Sequence, residues 1–177
     1  MNKPLILIVN DDSIFSNGIR ALWEAMSEIG KVIVVAPKTE KSASGHSITI
    51  SNPIRIQRIV QSNDFKGYAI HGTPVDSVKI GVKVILNSLP DIIVSGINSG
   101  PNVGQSLRYS GTVSAAAEGT FLGIPSIALS LNSFKPKNFN SAKIIAKEIV
   151  DKVLANGLPK GTLLNVNIPD LTKKNIK

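Results

Sequence analysis

The run Leu5-Ile6-Leu7-Ile8-Val9 is apolar at every position, so a strand built from it has no face to offer water and must be covered on both sides. That requirement places it inside a largely parallel sheet flanked by helices. Asn10-Asp11-Asp12 follow directly. In open α/β sheets ligands bind beyond the carboxyl ends of the strands. Adjacent acids there repel each other and lose hydration as a site closes, and a cation relieves both effects. Asp or Asn after a strand also caps a following helix, so the tripeptide by itself admits a metal or phosphate role and a purely structural one.

The rest of the chain alternates in the same manner. Ile19, Leu22, Trp23, Met26 and Ile29 recur at helical spacing up to Gly30, which predicts an amphipathic helix packed on the sheet. Residues 32–36 predict a second buried strand closed by Pro37, followed by a polar loop from Lys38 to His46 that contains Ser42. The stretches 47–51 and 54–60 alternate as a hairpin excursion interrupted by Asn52-Pro53, with a short returning strand at 68–71. Thr73-Pro74-Val75-Asp76 combines an N-cap residue, Pro at the first helical position and an acid three beyond the cap, predicting a helix to about Leu86. By the same logic Asp76 is a helix-start acid and His71 a loop residue. Residues 91–95, 126–131 and 162–168 predict three more parallel strands, with helices at 113–121 and 141–154 between them. The expected fold is a three-layer α/β/α sandwich with a mainly parallel, Rossmann-like sheet and a β-hairpin excursion, in a single domain spanning residues 1–177.

Composition narrows the chemistry. The 177 residues include no Cys and only two His, which excludes thiolate zinc and a His-rich metal cluster. No apolar span approaches the roughly 20 residues that a bilayer requires, and no signal-peptide pattern stands at the N-terminus; we expect a cytoplasmic protein with no membrane partner. The formal net charge of +8 favours anionic ligands. The bases are nonetheless spread along the chain, with a small cluster only at Lys173, Lys174 and Lys177, so no nucleic-acid partner is expected.

Glycines 96, 100 and 104 open a loop whose spacing fits neither the dinucleotide fingerprint nor the phosphate loop. Ser110-Gly111-Thr112 at the start of a helix offers backbone N–H groups, two hydroxyls and the positive end of the helix dipole to an anion, although Ser110 or Thr112 could equally serve only as a cap. The combination says more than its parts. Three loops after parallel strands deliver hard oxygen donors: Asp11 and Asp12, then Ser42, then Asn98. Two carboxylates with neutral oxygens suit Mg²⁺ or Mn²⁺, and a cation beside a phosphate cradle suits hydrolysis or transfer of phosphate.

The chain resembles the SurE family of stationary-phase survival proteins. The resemblance rests on Asn10-Asp11-Asp12, on Ala36-Pro37 followed by Ser42 and Ser47-Ile48-Thr49, on Gly72-Thr73-Pro74-Val75-Asp76, on Ser95 to Asn102, and on Tyr109-Ser110-Gly111-Thr112-Val113 with Ala116 and Glu118-Gly119. It implies a metal-dependent 5'-nucleotidase acting on nucleoside 5'-monophosphates, with 3'-monophosphates and short polyphosphate as further substrates. It also implies one divalent cation per subunit, Mg²⁺ or Mn²⁺, held by Asp11, Asp12, Ser42 and Asn98, and a homodimer or homotetramer. Ser110, Gly111 and Thr112 would then lie near the substrate phosphate, and Asn10 and Asn102 are taken with them as phosphate-binding candidates that could also orient the ligating groups. Asp11, Asp12 and Asn98 would form the catalytic set, with either acid as candidate base or nucleophile. Two departures stand out: Gln105-Ser106-Leu107-Arg108 occupy a segment where many members carry an acid, and family chains commonly extend past the equivalent of Asp170. The chain is therefore expected to lack the family's C-terminal extension.

Two noncatalytic readings use the same acidic pocket. A phosphoacceptor receiver domain would need an Asp at the end of the third parallel strand, where this chain offers Asn98. A nucleotide-sensing regulator would bind the same ligand without turnover.

Overall fold

The structure is a computed structural model that describes residues 3–61 and 64–171; the basic cluster at Lys173, Lys174 and Lys177 lies outside the described residues. Among the described residues seven strands form one sheet: β1 (Leu5–Val9), β2 (Lys31–Pro37), β3 (Ile56–Val60), β4 (Lys66–Ile70), β5 (Ile92–Ser99), β6 (Ser126–Asn132) and β7 (Leu164–Pro169). Their order is β3-β4-β2-β1-β5-β6-β7, and every neighbouring pair is parallel except β3 with β4. β1 lies between β2 and β5, pairing Ile8 with Val34 on one side and with Val94 on the other. The central position that its apolar character demands is the one it occupies.

Alternation along β1 divides the core. Ile6 and Ile8 pack into one cluster with Ile19, Leu22 and Met26 of α1 (Asn17–Ser27) and Ala142, Ala146 and Val150 of α4 (Asn140–Asn156). Leu7 and Val9 face the opposite layer, with Val78 of α2 (Pro74–Ile80) and Ala115 of α3 (Gly111–Phe121). The sheet is thus covered on both faces, and the expected three-layer sandwich is the observed one. Truncating a fully buried residue such as Leu7 would cost about 2–5 kcal/mol, as large-to-small core changes generally do.

Three local expectations are corrected. Residues 47–51 do not form a strand; the hairpin is made by β3 and β4. Thr49 instead spends its backbone N–H and its hydroxyl on the Asp76 carboxylate, at 3.1 and 2.6 Å respectively, which holds this segment against α2 and away from a strand ladder. The returning strand is longer than expected and belongs to the parallel array, since Val34 to Pro37 of β2 pair with Gly67 to Ile70 of β4. The expected glycine loop also begins later. Gly96 to Ser99 continue β5 past a register shift against β6, and Asn98 pairs with Ser130. Glycine at 96 obscured the strand, because a residue without a side chain contributes nothing to an apolar period.

The capping motif at 73–76 is present in full: the Thr73 hydroxyl accepts from Asp76 N, and the Asp76 carboxylate accepts from Thr73 N. The helix that it starts closes in a π-helical turn, Gly81–Ile85. Among the described residues no helix is long and apolar enough to cross a membrane.

Candidate active site

The carboxyl ends of β1, β2 and β5 meet the start of α3. Lys41 donates its backbone N–H to the Asp11 carbonyl oxygen at 2.7 Å, and Gly45 donates to Tyr109 O at 3.0 Å. The loop after β2 is thereby tied at one place to the loop after β1 and at another to the segment entering α3. Ser42 follows immediately after Lys41.

Asp11 is buried against the N-terminus of α3. Its Oδ1 accepts a 2.5 Å hydrogen bond from Thr112 Oγ1. A Cβ on Gly111 would stand 2.7 Å from Asp11 Cβ and 2.9 Å from Pro74 Cγ, so only glycine lets the carboxylate come this close. Burial raises the pKa of Asp11, opposed by hydrogen bonds from the Thr112 side chain and from backbone N–H groups that include those of Gly111 and Thr112. The helix dipole acts in the same sense as those donors. The pKa of Asp12 is pushed up to about 6 by burial first and by the negative charge of Asp11 second, with Glu40 adding to the repulsion and the Ser99 backbone N–H opposing it.

This arrangement fits a divalent cation. Two neighbouring carboxyls, both discouraged from ionising by burial and one also by its neighbour's charge, gain from a positive charge placed between them. Asn98 donates Nδ2 to Gly100 O at 2.8 Å, and an Asn98 ligand to a cation would have to be its Oδ1. Ser42 donates its hydroxyl to Glu40 Oε1 at 2.6 Å, leaving oxygen lone pairs for a metal. Among the described residues no group of three or more His, Cys, Asp or Glu could hold a metal ion. A cation here would therefore depend on the two Asp, on neutral oxygens and on water, a donor set that suits a hard ion.

Two of the candidate phosphate-binding residues, Asn10 and Asn102, are hydrogen-bonded within the fold. Asn10 is fully enclosed and spends Nδ2 on Ser13 O at 2.8 Å and Ser16 Oγ at 2.9 Å, bracing the turn that carries the acids. Asn102 is held between β6 and β7: its N–H donates to Asn167 Oδ1, its Nδ2 to Ser130 Oγ, and its carbonyl accepts from Asn165 and Asn167. These bonds fix the orientation of both side chains. Ser110 is the N-cap of α3, accepting from Val113 N at 3.1 Å; its hydroxyl proton is not used by that bond. The helix start expected to cradle phosphate thus has a resident anion, Asp11, and that contact between residues 101 apart had no signal in the sequence.

Sequence reading also missed a polar cluster centred on the buried carboxylate of Glu118. Glu118 of α3, 8% exposed, joins His46 Nε2 at 2.9 Å and Lys79 Nζ of α2 at 3.2 Å. Because His46 ends the loop that carries Ser42, the cluster fastens that loop to both helices. The seven-residue, two-turn separation between Glu118 and Gly111 along α3 was the available clue.

Fold and site together define an α/β domain with paired acids and neutral oxygen donors, a set suited to a cation, at the carboxyl ends of its parallel strands. A family model described as survival protein SurE matches residues 6–177, and the chain belongs to the SurE family. It is 47% identical over 174 residues to the 5'-nucleotidase SurE of Caldanaerobacter subterraneus subsp. tengcongensis, covering 98% of this chain and 68% of that protein. It is 48% identical over 175 residues to the 5'-nucleotidase SurE of Aquifex aeolicus, again covering 98% and 68%. The crystal structure of the SurE protein from Aquifex aeolicus matches with a TM-score of 0.90 at 47% identity, covering 98% of this chain and 69% of the other.

Proposed function

We propose that this protein is a metal-dependent 5'-nucleotidase that hydrolyses nucleoside 5'-monophosphates to nucleoside and phosphate. The observation that carries the reading is the Asp11–Asp12 pair seated on the start of α3 through Thr112, in a chain whose relatives bear the name 5'-nucleotidase SurE. Asp11, Asp12, Ser42 and Asn98 would hold one divalent cation per subunit, Mg²⁺ or Mn²⁺. When bound, the cation supplies positive charge to the phosphoryl oxygens and acidity to a water.

The remaining roles belong to the chain itself. Thr112 and the first N–H groups of α3 keep Asp11 oriented, and the Ser99 N–H does the same for Asp12. The free hydroxyl proton of Ser110 is available to a phosphate oxygen at the helix start. Gly111 keeps that end of the helix close to the acids. Positioning and electrostatics would supply most of the rate, as is general for phosphoryl chemistry.

The reading extends to a cytoplasmic homodimer or homotetramer, and to 3'-monophosphates and short polyphosphate as further substrates. The test is phosphate release from AMP and GMP with Mg²⁺ or Mn²⁺, after EDTA, and after restoring the ion. Turnover that EDTA stops and either ion restores supports it. Binding without turnover would return the protein to the nucleotide-sensing class, and activity restored by zinc alone would contradict the oxygen-donor site.

A further inference from the structure

Phe134 is 79% exposed, yet its ring is seated on the backbone of the active-site strand end. A Cβ placed on Gly100 would lie 2.6 Å from Phe134 Cε1 and 2.7 Å from Cδ1. Only glycine leaves room for the ring, and its φ of +104° is a conformation that other residues rarely adopt. The seat is firmly held, because Gly100 N and Ser133 N both donate to Leu131 O, at 2.9 and 2.7 Å.

That seat is continuous with the cation site. Gly100 O accepts from Asn98 Nδ2 at 2.8 Å, and the neighbouring Ser99 donates its backbone N–H to Asp12. Isolated apolar side chains on a surface call for no explanation. Phe134 differs in that the backbone supporting its ring also orients Asn98 and contacts Asp12. An open aromatic face in that place matches a part of a nucleoside monophosphate for which the acidic site has no partner, the flat base.

We propose that Phe134 is the stacking platform for the nucleobase of the substrate whose phosphate lies beside the cation site of Asp11, Asp12, Ser42 and Asn98. This rests on the nucleotidase reading above. Stacking engages the π-face common to all bases and reads no hydrogen-bonding edge, so the platform accepts purines and pyrimidines and favours the larger purine.

The experiment compares Phe134→Ala, Phe134→Leu and Phe134→Trp with the parent protein on AMP, CMP and ribose 5-phosphate, with Mn²⁺ present. Phe134→Ala should raise KM for AMP about tenfold, within the range of one lost stacking contact, with kcat nearly unchanged. KM for ribose 5-phosphate, which has no base, should stay within about twofold by the same argument. Phe134→Trp should restore AMP binding, whereas Phe134→Leu, which keeps bulk without a π-face, should not. Equal changes for AMP and ribose 5-phosphate, or full activity in Phe134→Leu, would overturn the platform. So would an altered subunit number in Phe134→Ala by light scattering, which would assign the ring to a subunit contact. A parent protein that releases phosphate from none of the three substrates would remove the nucleotidase reading itself, and the platform with it. Turnover of AMP with an unchanged ratio of KM values in Phe134→Ala removes only the platform.

Discussion

Thr112 Oγ1 donates to Asp11 Oδ1 at 2.5 Å, across 101 residues of chain, and both residues are buried. The bond fixes which way the first carboxylate of the site faces. It also joins the loop after β1 to the first turn of α3, the two elements that supply the anionic and the hydrogen-bond-donating sides of the site.

Thr112→Val keeps the shape of the side chain and removes the donor. We expect cation affinity or turnover to fall about 10- to 100-fold, the usual effect of losing a group that orients a metal ligand. Folding should persist with a loss of about 1–3 kcal/mol, because a buried acceptor is left without its partner. Titration calorimetry with Mn²⁺ and urea denaturation separate the two effects. Unchanged cation affinity would show that the bond is structural only.

Asp12→Asn should leave the fold intact and reduce divalent-dependent phosphate release by more than about 100-fold, since it removes a proposed ligand itself and not its support. Without cation the variant should melt no lower than the parent, because the substitution also removes the repulsion between Asp12 and Asp11. Adding Mn²⁺ should raise the melting temperature of the parent and not of the variant. Parent-like turnover in the variant would sink the site assignment.

Gly111→Ala would press a methyl group onto Asp11 and Pro74. Overpacking of this kind costs about 1–3 kcal/mol, and here the strain falls on a carboxylate of the site. The expected result is a lower urea midpoint together with weaker cation binding. A variant with parent-like binding would show that the start of α3 can withdraw from Asp11 without consequence.

Acidity should act on the metal-free protein in a direction unusual for a carboxylate. The pKa of Asp12 stands near 6 in the fold against an ordinary 3.8, so between those values the native state retains a proton that the unfolded chain has released. The contribution of Asp12 to stability therefore declines as pH rises through that interval and is flat above it. Ion and proton compete for the same oxygens, so stabilisation by Mn²⁺ should be larger at about pH 7.5 than at about pH 5. Melting curves at both acidities, with EDTA and with Mn²⁺, check both statements. For Asp12→Asn the metal-free decline should be smaller.

Much of this site can be read along the chain, because its donors follow strand ends that announce themselves. The unbroken apolar run 5–9 fixes β1 as a central strand, and every acid or amide placed after such a strand falls at the same edge of the sheet. The four residues 73–76 likewise carry a complete cap in their own spacing. Long-range choices were not legible. Whether Thr49 pairs in a ladder or turns to Asp76 depends on where α2 lies. The occupation of the α3 start by Asp11 and the burial of Glu118 between His46 and Lys79 depend in the same way on distant packing. Period and propensity describe neighbours in sequence, and these contacts link residues 27 to 101 apart.

The joining of Asp11 to Thr112 has a further consequence for how an ion could be acquired. Neither the first nor the second half of the chain contains the whole binding constellation, so an unfolded or half-assembled polypeptide offers a metal only scattered, weak oxygens. Ion uptake would then report completion of the native topology, and a saturating ion would selectively populate chains in which both halves had already docked.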